Sequence, residues 1–198
     1  MNIDNVYIDK DIVLKFLGYG KRKAPDSIKK IIDEEILNIN DVLDIRVYIE
    51  EIDIKENNFT ENYIIKCFKS SEKAYSILYT IGSEIDKNIN YHMNNNDMMR
   101  GLVLDKVGIV ALDYINENIK KYLEDNNKKL NISYEIYPGD KEFSIENQKK
   151  IYNYFKNEYI TINKYNQMNP IKSVAMVICM GNYKILKSRC ENCENKCY

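Results

Sequence analysis

The 198-residue chain has no tryptophan, three prolines, seven glycines and a single histidine. It also has almost no net charge: 29 basic residues against 30 acidic ones leave a formal -1. The absence of a basic surplus argues against nucleic acid as a partner, because phosphate binding needs a positive surface. No apolar run reaches the ~18 residues of a membrane-spanning helix, so no membrane partner is expected. The opening Met1-Asn2-Ile3-Asp4-Asn5 lacks the basic start and apolar stretch of a secretory signal, and a cytoplasmic location is expected. There is no phosphate loop and no GxGxxG fingerprint, so nucleotide hydrolysis and a Rossmann-bound dinucleotide lack support. With His92 as the lone histidine, a Ser-His-Asp or Cys-His centre has one candidate base. In Tyr91-His92-Met93 that residue reads as a surface or packing side chain. No linker, repeat or composition shift divides the chain.

What remains is a foldable, ordinary-sized sequence. The 44% hydrophobic and 30% charged shares exclude a disordered chain. A domain of this size buries about 70% of its unfolded surface. The 26 asparagines and 17 tyrosines fit an AT-rich coding bias rather than a function.

Periodicity predicts the elements. Asp9 to Gly18 reads as a short helix capped by Asp9 and closed by Gly18. Lys21-Arg22-Lys23 is a basic loop, either solvated or a docking spot for an acidic surface. Pro25-Asp26 opens a second helix whose Ile28, Ile31, Ile32, Ile36 and Ile39 recur at helical spacing. Residues 45 to 54 alternate as a strand, and a helix follows from Thr60-Glu61 to about Lys69. Ala74 to Thr80 is an uncharged run, read as a buried strand. Ile81-Gly82-Ser83 turns into a helix that begins with Glu84, Ile85 and Asp86. Asn94-Asn95-Asn96 reads as a solvated turn between helices. Asp97 to about Asp125 is the longest helix, with a buried stripe of Leu104, Val107, Gly108, Ala111, Ile115, Ile119 and Tyr122. Gly108 and Ala111 on that stripe would admit another element closely. Leu130 to Tyr137 reads as a strand and Pro138-Gly139-Asp140 as a turn. Ser144 is expected to cap a helix through Phe155, with Ile145, Ile151, Tyr152 and Phe155 inward. Residues 160 to 162 and Ser173 to Cys179 read as further strands. Helices and strands mix without βαβ alternation, which predicts an α+β single domain. Its sheet would be twisted, antiparallel or mixed, and packed with helices. The expected division is a domain over 1–186 and a Cys-rich tail over 187–198.

Two segments carry chemistry. Cys190, Cys193 and Cys197 lie within eight residues, close enough to share zinc or an iron–sulfur cluster. A structural zinc site wants a fourth ligand, from Cys179, Cys67, His92 or outside. Redox chemistry and idle thiols are the alternatives. The Pro138-Gly139-Asp140 turn, before an expected helix, would offer free N–H groups to an anion; a plain turn is the other reading.

Four ordered segments then resemble a known family. Leu14-Lys15-Phe16-Leu17-Gly18-Tyr19 is similar to an "LRYLGY" opening. Leu78-Tyr79-Thr80-Ile81-Gly82-Ser83-Glu84-Ile85-Asp86 is similar to "AATLGPEVD", and Leu104-Asp105-Lys106-Val107-Gly108 to "LDAIG". Met168-Asn169-Pro170-Ile171-Lys172-Ser173-Val174 matches "M-x-P-x-K-S-V". These patterns, with the Cys-rich end, resemble the activation (reactivation) domain of cobalamin-dependent methionine synthase, in its stand-alone bacterial form. The resemblance implies a single α+β domain with a twisted antiparallel sheet. It implies S-adenosylmethionine (AdoMet) as ligand and cobalamin on a partner, a methionine synthase lacking its own activation domain. An electron-donor protein, and a homodimer, are further partners it leaves open. The protein would be an activation subunit rather than an independent catalyst. The alternative is a small metal- or iron–sulfur-binding redox or corrinoid accessory protein that keeps the fold without AdoMet. The family's AdoMet motif is R-x-x-P-G-Y. Here Pro138 and Gly139 are kept, Glu135 stands at the arginine position and Asp140 at the tyrosine position. An arginine would pair with the AdoMet carboxylate as a fork, whereas a glutamate would repel it. The cofactor-binding residues implied are Glu135, Tyr137, Pro138, Gly139, Asp140, Lys172 and Ser173. The implied metal ligands are Cys190, Cys193 and Cys197.

Overall fold

The computed structural model describes every residue except Asn2, Asp4, Lys141 and 184–198. The boundary expected near residue 187 and the three tail cysteines lie outside the described residues. In chain order the elements are α1 (Lys10–Phe16), α2 (Asp26–Val42), β1 (Arg46–Ile52), α3 (Asn62–Lys69), β2 (Lys73–Thr80), α4 (Glu84–Asn94) and α5 (Met98–Asn126). They continue with β3 (Asn131–Ile136), α6 (Asn147–Tyr152), β4 (Thr161–Ile162), β5 (Met168–Asn169) and β6 (Ser173–Gly181). The main sheet has the order β1-β2-β6-β3, and every pairing in it is antiparallel. β4 and β5 form a separate antiparallel pair. The fold is therefore α+β, as the sequence predicts, with the antiparallel option realised.

Local chemistry explains the element ends. Asp9 caps α1 by accepting hydrogen bonds from the N–H groups of Asp11 and Ile12. Asp97 caps α5 through the N–H of Arg100. Arg100 then ties α5 to α2 through Glu34, at 2.7 Å, and through Glu35. Asn94 is the exposed last residue of α4, Asn95 and Asn96 are exposed in the turn that follows it, and Asn96 adopts a positive φ of 60°.

The sheet is covered on both faces. β2 and β6 are central, and nearly every residue of each is buried, which is why both read as continuous apolar runs. One face carries Tyr75, Ile77, Tyr79, Met176 and Ile178 against the apolar sides of α1, α2, α4 and α5. The other carries Ala74, Leu78, Val177 and Cys179 against Ile64 and Phe68 of α3, Ile151 of α6 and Phe143. Gly108 of α5 does lie at a close approach: a Cβ there would meet Ile85 Cδ1 at 3.0 Å and Lys172 Cε at 3.1 Å. Ala111 beside it is fully buried.

Two expectations are corrected. The helix predicted from Ser144 starts only at Asn147 and ends at Tyr152. The Ser144 hydroxyl instead accepts from the Glu146 N–H in a local turn, a competing bond short hydroxyl side chains favour, and Ile145 stays 46% exposed. In α5, Tyr122 is 42% exposed while Leu123 is buried. Leu123 lies four residues after Ile119 and takes the inward place, because the stripe steps by four at that end.

Gly82 closes β2 with φ at 86°, and a Cβ there would lie 2.9 Å from Asp44 Cβ and 3.1 Å from Asp44 N. The Asp44 N–H donates to the Ile81 carbonyl at 3.0 Å, so the two backbones are already fixed together. Gly82→Ala is expected to cost about 2 kcal/mol, read as a lower midpoint in urea unfolding with an unchanged slope. A neutral result would mean the two segments can part without penalty.

Candidate functional site

A cleft of about 580 Å³ lies on the α5 face of the sheet. α5 supplies Ile109, Leu112, Asp113, Asn116, Glu117 and Lys120. β3 and the residue after it supply Glu135 and Tyr137, Tyr79 and Val174 come from the central strands, and Tyr7, Asp9 and Ile12 close one side. Tyr79 and Val174 are direct cross-strand partners, so the sheet register sets the cleft floor.

A polar cluster sits in this cleft. Asn116 Nδ2 donates to Glu135 Oε2 at 3.2 Å and to the Tyr137 hydroxyl at 3.1 Å. Tyr137 in turn donates to Glu135 Oε2 at 3.0 Å. Lys120 reaches Glu135 Oε1 at 3.1 Å and also pairs with Glu117. Burial works against the Lys120 charge, but Glu117 and Glu135 outweigh it and hold its pKa above the usual lysine value. Asn116 is only 8% exposed, and its Oδ1 has no hydrogen-bond partner among the described residues. A buried acceptor left open is costly. With under 1 Å² of accessible surface, this oxygen lies behind the cleft wall rather than facing the open space. Asp9, Asp113, Glu117 and Glu135 against Lys120 alone leave the walls formally acidic, suited to a ligand with positive charge.

The residues expected from sequence fall into separate places. Glu135 and Tyr137 line the cleft. Glu135 is engaged by Lys120, Asn116 and Tyr137, so its charge is compensated within the protein. Pro138, Gly139 and Asp140 form a tight turn after β3, outside the cleft lining. The Gly139 N–H donates to the Phe143 carbonyl at 2.8 Å and the Asp140 N–H to the Tyr137 carbonyl at 3.1 Å. Those two donors are spent inside the turn, and no helix starts until Asn147. The expectation of free N–H groups at a helix start is corrected accordingly. Gly139 has φ at 95°, the backbone reason for glycine in this turn.

Lys172 and Ser173 sit where β6 begins, around the end of β2. Lys172 pairs with Asp105 of α5, its stem lies against Gly108, and its carbonyl accepts from Ile81 N–H and the Thr80 hydroxyl. The Ser173 hydroxyl lies 2.6 Å from the Pro170 carbonyl oxygen and 2.9 Å from Thr80 Oγ1. Burial pushes the Asp105 carboxyl up, but Lys172 and Lys106 pull it down further and leave it below the usual aspartate range.

Cys67 and Cys179 are buried in the second core. Burial raises the Cys67 thiol to about 11 and the Cys179 thiol further, so both remain protonated and weak as metal ligands. His92 lies at the end of α4 with Nδ1 3.5 Å from Asp97 Oδ2. Among the described residues, no group of three His, Cys, Asp or Glu could hold a metal ion. No helix among them is long and apolar enough to cross a membrane.

Sequence reasoning missed Asn116, Lys120, Asp113 and Glu117. Their i, i+4 spacings on α5 are visible in the sequence, but only the packing of β3 on α5 brings Glu135 to Asn116 and Lys120.

No family model and no curated protein matches the sequence. The fold is similar to a solved structure, the MetH reactivation domain bound to AdoHcy, with a TM-score of 0.60 and 10% sequence identity. The likeness covers 82% of this chain and 68% of that one. It is a likeness of fold.

The Lys172–Asp105 pair clamps β6 to α5 on the cleft's face of the sheet. Lys172→Met is expected to lower stability by about 1 kcal/mol at pH 7. Because the folded Asp105 value is depressed, its contribution is present above the unfolded value, about 3.9, and is lost as pH falls through the folded value. The gap between wild type and variant should therefore narrow below about pH 4 in thermal unfolding across pH. A gap independent of pH would assign the effect to the lysine stem.

Proposed function

We propose that this protein is a reactivation-type accessory of a cobalamin-dependent methyltransferase, and that it holds AdoMet in the α5–β3 cleft. The observation that carries the reading is an acidic, tyrosine-walled cleft on a fold that another protein uses to hold AdoHcy. The ordered sequence resemblance to the methionine synthase activation domain supports the same assignment.

The chemistry of the ligand suits the walls. AdoMet carries an ammonium group, an adenine amine and ribose hydroxyls, each able to donate to the carboxylates that line the cleft. Its sulfonium charge is favoured beside Asp113 and Glu117 and over tyrosine faces. Lys120 is the cation available to its carboxylate. The Glu135 for arginine exchange is accommodated because Lys120, Asn116 and Tyr137 hold the glutamate away from a direct clash of charges. When bound, AdoMet supplies an electrophilic methyl group, and the reduced corrinoid of a partner is the acceptor this reading names. The partner would be a methionine synthase without its own activation domain, with reduction by a separate electron donor. The chain's own task is to bind and orient the sulfonium, keep the cleft dry around it and dock on the corrinoid module.

Calorimetric titration with AdoMet should give a dissociation constant near or below ~100 µM, roughly -5.5 kcal/mol. Asn116→Leu removes the amide that holds Glu135 and Tyr137 in the cleft wall and should weaken binding about tenfold, while circular dichroism stays unchanged. Addition of the protein to a partner synthase should perturb its cob(II)alamin spectrum. No heat with either AdoMet or AdoHcy at millimolar concentration would sink the reading.

A further inference from the structure

β1 stands at one edge of the main sheet, and among the described residues it has a strand neighbour on one side only. It pairs with β2 over seven consecutive residues without a bulge. It contains no proline and no lysine, two of the devices that blunt an edge, and its charged residues Arg46, Glu50 and Glu51 are of both signs. The opposite edge, β3, has a register shift between Ile132 and Tyr134 and runs into Pro138, so it is a poor template. Grooves of about 400 and 550 Å³ flank β1, one lined by Val47 and Ile49 with Tyr75 and Tyr122, the other by Tyr48 and Glu50 with Phe155.

We propose that β1 pairs with β1 of a second copy, joining two sheets into one eight-stranded antiparallel sheet about a two-fold axis at Tyr48. The register follows from geometry. In an antiparallel pair, facing residues point their backbone groups the same way, so a two-fold axis must fall on a residue. With the axis at Tyr48, Arg46 faces Glu50 of the second copy, and Val47 faces Ile49. The charge pair and the aliphatic pair each occur twice, once on each side of the axis. The neighbouring registers fail this test. An axis at Val47 sets Asp44 against Glu50, two like charges. An axis at Ile49 sets Arg46 against Ile52 and Tyr48 against Glu50 and so forms no opposite-charge pair, whereas the Tyr48 axis keeps two and sets only the flanking Ile45 and Asp44 against Glu51 and Ile52.

The two charged residues are prepared for this role. Arg46 is held by Asp44, with bonds of 3.2 and 3.1 Å, and lies 3.7 Å over the Tyr159 ring. A side chain already fixed loses less freedom on binding. Glu50 is exposed and makes no ion pair with any described residue.

The test is sedimentation velocity of the full chain over a concentration series. Wild type should show a concentration-dependent dimer. Glu50→Arg faces Arg46 with arginine twice, and should raise the dissociation constant about tenfold or more. Arg46→Glu should do the same. An equal mixture of the two variants restores both opposite-charge pairs and should return the dimer. If Arg46→Glu loses the fold, deuterium exchange decides: β1 amides should slow with rising wild-type concentration and stay fast in Glu50→Arg. A wild type that is monomeric throughout, a Glu50→Arg dimer as tight as wild type, or a folded mixture that does not reassociate would each overturn the proposal.

Discussion

The eight-residue antiparallel pairing of β2 with β6, from Lys73 opposite Met180 to Thr80 opposite Ser173, constrains everything else. Both strands present apolar side chains to both faces of the sheet. Neither face can be left to water, so helices must pack above and below. α1, α2, α4 and α5 cover one face and α3 with α6 covers the other. The same pairing brings Tyr79 against Val174, which makes the floor of the cleft, and brings Thr80 beside Lys172 and Ser173.

Polar groups at the end of this pair are satisfied among themselves. The Thr80 hydroxyl, the Lys172 carbonyl and the Gly82 N–H form a linked set, and Asp105 of α5 receives the Lys172 ammonium. This explains why a lysine follows the cis Asn169–Pro170 bond and precedes a buried strand. It serves as the joint between strand and helix. The cleft cluster is different in kind. There Glu135, Tyr137, Lys120 and the Asn116 amide nitrogen satisfy one another, and one acceptor is left over. The joint ties the start of β6 to α5 outside the cleft lining, whereas Glu135 and Tyr137 line the cleft itself. That contrast separates the two sets of residues that the sequence resemblance groups together.

The charge at position 135 has a meaning only in this context. Read along the chain, a glutamate in place of an arginine reverses the local charge. In the fold, it stands 3.1 Å from Lys120, on a helix that contributes the positive group the strand lacks. The sum of charge at the cleft floor is set by residues 15 positions apart in sequence, joined by the packing of α5 on β3.

Much of the architecture was legible in the residues alone. Helical spacing identified α2 and α5, the uncharged run identified β2, and the small residue Gly108 marked a close approach. These signals are local: a helix or strand repeats its own period, and burial on one or both faces is written in that period. The end of α5 and the start of α6 were misread because two local options, Tyr122 or Leu123 inward and Ser144 as cap or turn, differ by little until neighbours choose between them. The cleft was not legible. Glu135 and Tyr137 were identified, but their partners Asn116 and Lys120 carry no signal that distinguishes them from other polar residues on an amphipathic helix. Nor could the sequence tell that the Gly139 and Asp140 amides turn back on Tyr137 and Phe143. Period and composition determine which elements form and which side of each is buried. Which polar groups then meet depends on how the elements pack on one another, even neighbours in the chain such as α5 and β3, and only the tertiary structure decides that.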